Sequence, residues 1–600
     1  MLARVGSFLL QGIDALACEV EVDFDDTADL EKARNVVVGL PDTSVKESLE
    51  RVKAALVNSG LVFPRGRVLI NLAPADLRKE GPLYDLPIAL GLLIVQGVIS
   101  DGVRPVTAGR GKIDTAVSRS SAGVSIRRER KGTGAEGSAA ALAADLRKRI
   151  GESVRRGEAN HQEGNELSAE LDDALKSGAG AGAIEDDGVA EGPPDIRRYL
   201  VAGELALDGR VRPCKGVIAM AALAKELGLA GVIVPRENAA EAAVVPGIEA
   251  IGVASLIEAV GVITGRLPCV PHAPTDVNAL LKGAEAEIDF ADVRGQEAVK
   301  RAIVIAAAGS HNLIMLGPAG TGKSMMAKAL PGVLPAMSAE EAIEVTRIYS
   351  AAGKLQPGQG LVTTRPVRTP HHTASGAAII GGGIVPRPGE VSLAHRGVLF
   401  LDELPEFPRD VLETLRQPLE DHVVTIARSH SAVRFPANFM LVAAMNPTQK
   451  GEMPTDDFGR RQMDRYLAKL SGPLIDRIDL HVEAPAVPFK QLSGQTGVKG
   501  TSSSVMRERV AAARVLQAKR QGAGTANSRL SGRQLDVLAQ MSGAAKGILE
   551  QAMTELKLSA RAYDKIRRVA RTIADLEGSE GIEVAHVSEA VQYRLLDRRM

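Results

Sequence analysis

Aromatic residues are scarce in this chain of 600 residues, and tryptophan is absent. Because aromatic residues make up 3% of the sequence, base stacking on aromatic side chains is excluded as the main mode of nucleic-acid binding, and any such binding would depend on phosphate contacts. The three cysteines, Cys18, Cys214 and Cys269, are odd in number and far apart. This spacing excludes a disulfide framework and favours a reducing compartment, the cytoplasm.

The chain also has no excess of either charge sign and no long apolar run. Lysine plus arginine and aspartate plus glutamate number 73 each, so no global field points to a polyanionic partner, and local basic clusters must carry that argument. The longest apolar stretch, residues 86–99, is shorter than the ~20 residues that a bilayer span needs and predicts a buried helix. The first residues lack the apolar core of a signal peptide. We therefore expect no membrane partner and no secretion.

The length and the local patterns predict an α/β protein of several domains. Strand and helix patterns in residues 1–104 resume in residues 195–266, which predicts one α/β domain split by an insert. The insert, 105–194, has no Phe, Tyr or Trp and is predicted to be disordered or partly helical. Its first half is basic and its second half acidic, so a solvated linker is favoured over a DNA-binding arm.

By composition, the rest of the chain divides into an α/β core and a helical C-terminal region. Prolines indicate a linker over 267–288, and a P-loop α/β core is expected over 289–485. A polar linker over 486–504 leads to a helical lid over 505–600.

A strand pattern, a glycine-rich loop and a helix pattern together form a phosphate-binding motif. The glycines let backbone N–H groups turn toward phosphates at the positive end of the helix, where a lysine reaches the β- and γ-phosphates and a hydroxyl binds Mg²⁺. The cofactors predicted from this motif are ATP and Mg²⁺. The residues of the loop are Gly317, Pro318, Ala319, Gly320, Thr321, Gly322, Lys323 and Ser324.

Two further apolar strand patterns end in polar residues that complete a hydrolytic site. Asp402 follows the first and would hold Mg²⁺, while Glu403 beside it would activate water. Asn446 follows the second and would orient that water. Alone, Asp402 and Glu403 are more typical of a solvated turn after a strand, and Asn446 could instead cap a turn. Coupled to the P-loop, they predict ATP hydrolysis.

Two arginines are candidates for stabilising the departing phosphate. Arg477 follows a short helical pattern, and Arg561 begins a later one. Each alone is more typical of a surface ion pair. In a ring of P-loop subunits, one cation from a neighbour and one from the lid would offset the charge of the γ-phosphate.

The order of several motifs resembles the magnesium-chelatase-like AAA+ family over nearly the whole chain apart from the insert. The motifs are DVRGQEAVKRAI, GPAGTGKS, RTPHHTASGAAIIGGG, PRPGEVSLAHRGVLFLDELPEF, LRQPLED, LVAAMNP and LSGPLIDRIDLHVE. The resemblance implies a ring-forming, hexameric ATPase, a homo-oligomer that acts as a DNA helicase promoting branch migration during DNA uptake and recombination. It assigns Arg477 as the finger acting on a neighbour, Arg561 as the second sensor and Gln296 to the surroundings of the adenine. It also implies an extra helical insertion before Asp402 that, with RPVRTPHH, faces the pore.

A β-hairpin is predicted over 423–427 and 432–435, with Arg428, His430 and Arg434 near its tip. In related motors such a hairpin moves along DNA, single-stranded or branched, and basic residues suit phosphate contacts that do not read sequence. A solvated hairpin that braces the ring remains the alternative.

The split N-terminal domain resembles the Lon-protease-like (ribosomal S5-like) fold. Serine–lysine catalysis needs a hydroxyl beside an amine of lowered pKa. Leu83 and Ile218 occupy the positions of the two reacting residues, with Lys215 three residues before the latter, so we expect no peptidase activity. Many family members carry a cysteine cluster after the position of Asn446, but TQKGEMPTDDFGRRQMDRY has none, and no structural zinc is expected.

Three functions are compatible with a chain of this kind. A DNA motor is favoured, a chelatase-type or chaperone-like remodeller of protein partners is the alternative, and an ATP-dependent protease is disfavoured by Leu83.

Overall fold

The computed structural model describes residues 2–25, 35–100, 193–283, 286–383, 385–427, 432–448, 461, 463, 466–488, 500–594 and 596. The chain divides into one unit of Met1–Val103 with Pro193–Met600 and a second of Arg104–Gly192. The second unit lies outside the described residues, and so does nearly all of the insert expected over 105–194.

The N-terminal part begins with a four-stranded sheet covered by two helices. Its elements are β1 Leu2–Gln11, β2 Asp14–Asp25, β3 Val36–Val38, α1 Thr43–Asn58, β4 Arg67–Ala73 and α2 Asp85–Val95. The strand order is β1-β2-β4-β3, with only the β3–β4 pair parallel. Every residue of α2 is buried, as expected for the longest apolar run. Its one carboxylate, Asp85, is held by Arg51 through Nε at 2.8 Å and Nη2 at 3.0 Å.

A parallel three-stranded sheet, β5-β8-β9, forms the second half of this part. The elements are β5 Tyr199–Val201, β6 Glu204–Leu205, β7 Val211–Arg212, α3 Val217–Glu226, β8 Gly231–Pro235, α4 Ala239–Ala242, β9 Glu249–Val253 and α5 Leu256–Ile263. Val5 and Val22 of the first half share one buried cluster with Ile233 and Ile251 of the second. The two segments therefore fold around a common core. A short helix, α6 Val277–Lys282, lies within the stretch expected to be a linker.

The P-loop part is built on a five-stranded parallel sheet of order β11-β14-β17-β10-β18. Its strands β10, β14 and β17 are buried throughout, which explains their continuous apolar sequences. The elements are α7 Glu297–Gly309, β10 Leu313–Leu316, α8 Lys323–Ala329, α9 Ala339–Ala352, β11 Val367–Arg368, α10 Gly376–Ile380, β12 Gly381–Gly382, β13 Arg387–Pro388, α11 Glu390–Leu393, β14 Val398–Leu401, α12 Arg409–Thr414, α13 Arg416–Asp421, β15 Val423–Ala427, β16 Ala432–Pro436, β17 Met440–Met445, α14 Gly472–Ile475 and β18 Leu480–Glu483. Helices α9, α10 and α11 lie between Lys323 and Asp402, where the extra helical insertion is expected.

Five helices form the C-terminal region: α15 Ser503–Gln521, α16 Gly532–Leu538, α17 Gly543–Glu555, α18 Ala560–Leu576 and α19 Val584–Gln592. Serine side chains cap the first four helices. Buried His311 joins this region to the sheet, because its Nδ1 lies 3.0 Å from Asp479 Oδ2 and its Nε2 lies 2.8 Å from Thr572 Oγ1 on α18. The α/β multidomain class with a helical C-terminal region is confirmed.

The N-terminal part packs against α9 of the P-loop part. Phe8 and Leu200 share a buried cluster with Val345 of α9 and with Leu361. Beside this cluster, the carboxylate of Glu241 accepts hydrogen bonds from Ile218 N at 2.9 Å and from the hydroxyl of Ser350. Burial raises the pKa of Glu241. Apolar packing, the polar cluster around Glu241 and an ion pair between Arg347 of α9 and Asp14 of β2 thus join the two parts.

Candidate nucleotide site

The glycine-rich loop joins the end of β10 to the start of α8, and its glycines are needed for two different reasons. A Cβ at Gly317 would lie 2.1 Å from the carbonyl oxygen of Ala484, so only glycine fits there. Gly320 and Gly322 instead have φ of 80° and 85°, the left-handed region that glycine adopts without strain. Glycines in this conformation allow backbone N–H groups to turn toward a phosphate at the N-terminus of α8.

Lys323 is the first residue of α8, and its ammonium group lies inside the loop. Nζ donates to Gly317 O at 2.7 Å, to Pro318 O at 2.8 Å and to Asn446 Oδ1 at 3.2 Å. Burial lowers the pKa of Lys323, while Asp402 and Glu403 act in the opposite direction. The contact with Asn446 brings the residue after β17 to the loop.

Ser324 and Asp402 meet at the end of β14. The hydroxyl of Ser324 donates to Asp402 Oδ2 at 2.6 Å. A hydroxyl and a carboxylate oxygen are the hard ligands that Mg²⁺ prefers when it also binds phosphate and water. The residues present therefore fit a magnesium ion carried by a nucleotide.

Glu403 follows Asp402 in a left-handed conformation, with φ of 52°. Its carboxylate Oε2 lies 3.6 Å from Nδ1 of His372. His372 belongs to the RPVRTPHH segment, which the family resemblance places at the pore and not at the nucleotide. No sequence signal separates this histidine from His371 beside it, and only the fold brings it to Glu403.

Gln296 reaches the loop from the start of α7. Its Nε2 donates to Pro485 O at 2.7 Å and to Thr321 O at 3.3 Å. Its Oε1 is buried and has no hydrogen-bond partner among the described residues. An amide oxygen in this position can accept from an amino group, such as that of adenine.

Arg477 and Arg561 lie together, and away from the loop. Arg477 Nη1 donates to Pro473 O at 2.6 Å, and its Nη2 pairs with Glu420. Arg561 Nη1 lies 3.4 Å from Asp476 Oδ2. Both line a cavity of about 1190 Å³ between the sheet and the C-terminal helices, and none of residues 317–324 lines it. Within one chain, the phosphate loop and the two arginines thus form separate sites.

The predicted hairpin is present as the antiparallel pair β15–β16. Arg434 is exposed on β16 opposite Thr425, while Arg428 and His430 lie outside the described residues. Most of the stretch 448–466, where no zinc is expected, also lies outside them. In the part of the chain that is described, no group of three or more metal-binding side chains occurs. No described helix combines the length and apolarity needed to span a bilayer.

Three family models match successive parts of the chain. "Magnesium chelatase, subunit ChlI" matches residues 289–492, its C-terminal companion matches 500–594, and "Subunit ChlI of Mg-chelatase" matches 20–125 and 183–238. The competence protein ComM of Haemophilus influenzae is 35% identical over 100% of this chain and 98% of its own length. The uncharacterized protein YifB of Escherichia coli is 36% identical over 94% and 92%. The magnesium-chelatase 38 kDa subunit of Rhodobacter capsulatus is 27% identical over 28% of this chain and 54% of its own.

Proposed function

We propose that this chain, which belongs to the magnesium-chelatase-like family of AAA+ ATPases, is a motor. It would use the energy of ATP hydrolysis to move DNA strands. The observation that carries the hydrolytic part is the meeting of three segments at the end of the sheet. Lys323 touches Asn446 at 3.2 Å, and Ser324 touches Asp402 at 2.6 Å.

Each residue of this site has a chemical role in the proposed reaction. The loop glycines and Lys323 bind the phosphates, and Ser324 and Asp402 would hold Mg²⁺, which neutralises charge on the phosphates. Glu403 accepts the proton of the attacking water, and Asn446 orients that water. Gln296 accepts a hydrogen bond from the adenine.

Arg477 and Arg561 act on the nucleotide of a neighbouring subunit in this proposal. Their location away from their own residues 317–324 supports this role. A guanidinium from the neighbour stabilises the charge on the departing phosphate and makes hydrolysis depend on assembly. The proposed assembly is a homo-hexameric ring in the cytoplasm.

The DNA part of the proposal depends on the hairpin β15–β16 and on a relative that is named a competence protein. Arg434 is exposed on this hairpin, and Arg428 and His430 belong to its tip in the sequence. Cations there contact phosphates without reading sequence, which suits a motor that moves along single-stranded or branched DNA. Helicase action in branch migration during recombination is the proposed use.

A protein remodeller is the second candidate, because the magnesium-chelatase 38 kDa subunit of Rhodobacter capsulatus matches part of this chain. This candidate requires ATP hydrolysis that is indifferent to DNA. A protease is disfavoured within a proposed Lon-like N-terminal fold, since Ile218 is fully buried and Leu83 has no hydroxyl.

The decisive experiment measures ATP hydrolysis by the purified protein alone and with single-stranded, duplex or branched DNA. We expect stimulation by at least one DNA and loss of hydrolysis in Lys323→Ala. Lys328→Ala is the matched control, since Lys328 is exposed on the same helix. If the protein hydrolyses ATP but no DNA binds to it or stimulates the hydrolysis, the proposed ATPase activity stands and the proposed DNA motor is refuted.

A further inference from the structure

A histidine that the proposed mechanism does not use faces the proposed base. Nδ1 of His372 lies 3.6 Å from Oε2 of Glu403, and the two side chains are 32% and 49% exposed. This separation is within ion-pair range and slightly longer than a direct hydrogen bond. Catalytic hydrogen bonds of this length often shorten when the substrate binds.

The imidazole of His372 is itself held by neighbours on two sides. The ring of His371 packs on it with a centroid separation of 4.1 Å, and the ring of Phe407 meets it edge-on at 6.4 Å. His371 is fixed in turn, because its Nδ1 lies 2.8 Å from Thr373 Oγ1. Phe407 follows Glu403 by one short helical turn, Leu404–Glu406. The histidine is therefore anchored both to its own loop and to the segment that carries the base.

Glu403 needs such an anchor. Its side chain has three rotatable bonds and is half exposed, and among the described residues His372 makes the single ion pair or hydrogen bond to its carboxylate. A base that swings freely spends little time aligned with the attacking water, and a misplacement of about 1 Å can lower the rate a hundredfold. A third group that orients the base is a general solution to this problem.

We infer that His372 is a positioning residue that orients the carboxylate of Glu403 for ATP hydrolysis. The inference rests on the proposed function, in which Glu403 activates water. His372 neither touches the substrate nor transfers the proton, and it acts by restricting the directions in which the carboxylate points.

The test compares the turnover of three full-length variants with that of the wild-type protein. His372→Leu keeps the bulk and removes the donor, so kcat falls about tenfold or more while KM for ATP is unchanged. His372→Asn places an amide N–H where Nδ1 lay and restores most of the loss. His272→Leu makes the same change at an exposed histidine far along the chain and keeps kcat within about twofold. An unchanged kcat in His372→Leu, an equal loss in His272→Leu or no recovery in His372→Asn overturns the inference.

A second comparison separates positioning from general damage. In a Glu403→Gln background no carboxylate remains to be oriented, so His372→Leu causes no further loss. A further loss of the same factor would overturn the inference. If Glu403→Gln hydrolyses ATP as fast as the wild type, the proposed role of Glu403 fails, and the inference fails with it. If Glu403→Gln is inactive and His372→Leu is normal, only the inference fails.

Discussion

The hydroxyl of Ser324 donates a hydrogen bond of 2.6 Å to Oδ2 of Asp402, across 78 residues of sequence. The bond joins the first turn of α8 to the end of β14, which are brought together by the parallel sheet. Two hard oxygens are thereby held at one point beside Lys323. This geometry supports a shared magnesium ion and makes both residues targets for mutation.

Ser324→Ala and Asp402→Asn should each lower magnesium-dependent ATP hydrolysis by about a hundredfold, because each removes one of the oxygens that would hold the ion. A titration of hydrolysis against magnesium concentration checks this expectation. Ser255→Ala is the control, since Ser255 caps α5 in the N-terminal part. Normal hydrolysis at low magnesium in both site variants would contradict the assignment.

Arg477→Ala and Arg561→Ala should retain nucleotide binding but lose hydrolysis, Arg477→Ala by at least about a hundredfold. Mixing Arg477→Ala with Lys323→Ala subunits should restore part of the activity, because a subunit with an intact Lys323 then receives Arg477 from its neighbour. Phosphate release from the mixed assemblies measures the effect.

The control for this experiment mixes Lys323→Ala with Ser324→Ala, in which both subunits carry a damaged loop. No recovery is expected there. Recovery in neither mixture would argue that Arg477 serves its own subunit.

Glu344 should make a pH-dependent contribution to stability. A hydrogen bond from His395, together with the charge of Arg396, lowers the pKa of Glu344 from 4.5 to about 2. Because this pKa is lower in the folded chain than in the unfolded one, the contribution is complete above the unfolded value and is lost as the pH falls from 4.5 toward 2. The Glu344 side chain is 45% exposed, so solvent screening limits the contribution to about 1 kcal/mol.

Thermal melting of Glu344→Gln against wild type checks this expectation. The difference in melting temperature should be largest near neutral pH and narrow as the pH falls from about 5 to about 3. Glu226→Gln, at an exposed position at the end of α3, is the matched change and should show no such trend. A difference that grows on acidification would contradict the assigned direction.

Leu361→Ala should destabilise the packing between the N-terminal part and the P-loop part. Leu361 is 4% exposed in the cluster with Phe8 and Leu200, and its truncation should cost about 2 to 4 kcal/mol. Chemical denaturation followed by circular dichroism measures the loss. Leu207→Ala is the control, because Leu207 is 58% exposed and its change should stay within about 0.5 kcal/mol. Equal effects of the two changes would rule out the proposed importance of this packing.

Much of the fold is predictable from local patterns. The buried strands β10, β14 and β17 have continuous apolar sequences, and the helix of the longest apolar run is buried as expected. The linker expected over 267–288 contains α6, a short helix capped by Asp276. A helix of six residues is too short to show a clear periodic pattern in the sequence. The division into domains and the roles of the site residues stay predictions until they are tested.

The sequence by itself identified the candidate site residues that can be recognised from their immediate neighbours along the chain. Gly317 to Ser324 form a glycine-rich loop, and Asp402 and Glu403 follow a buried strand, because glycine torsions and apolar runs are local properties. The tertiary structure decided which distant groups meet. It joined Ser324 to Asp402, separated Arg477 from its own loop and brought His372 to Glu403. Sheet order and loop paths depend on packing of the whole domain, so no local pattern specifies them.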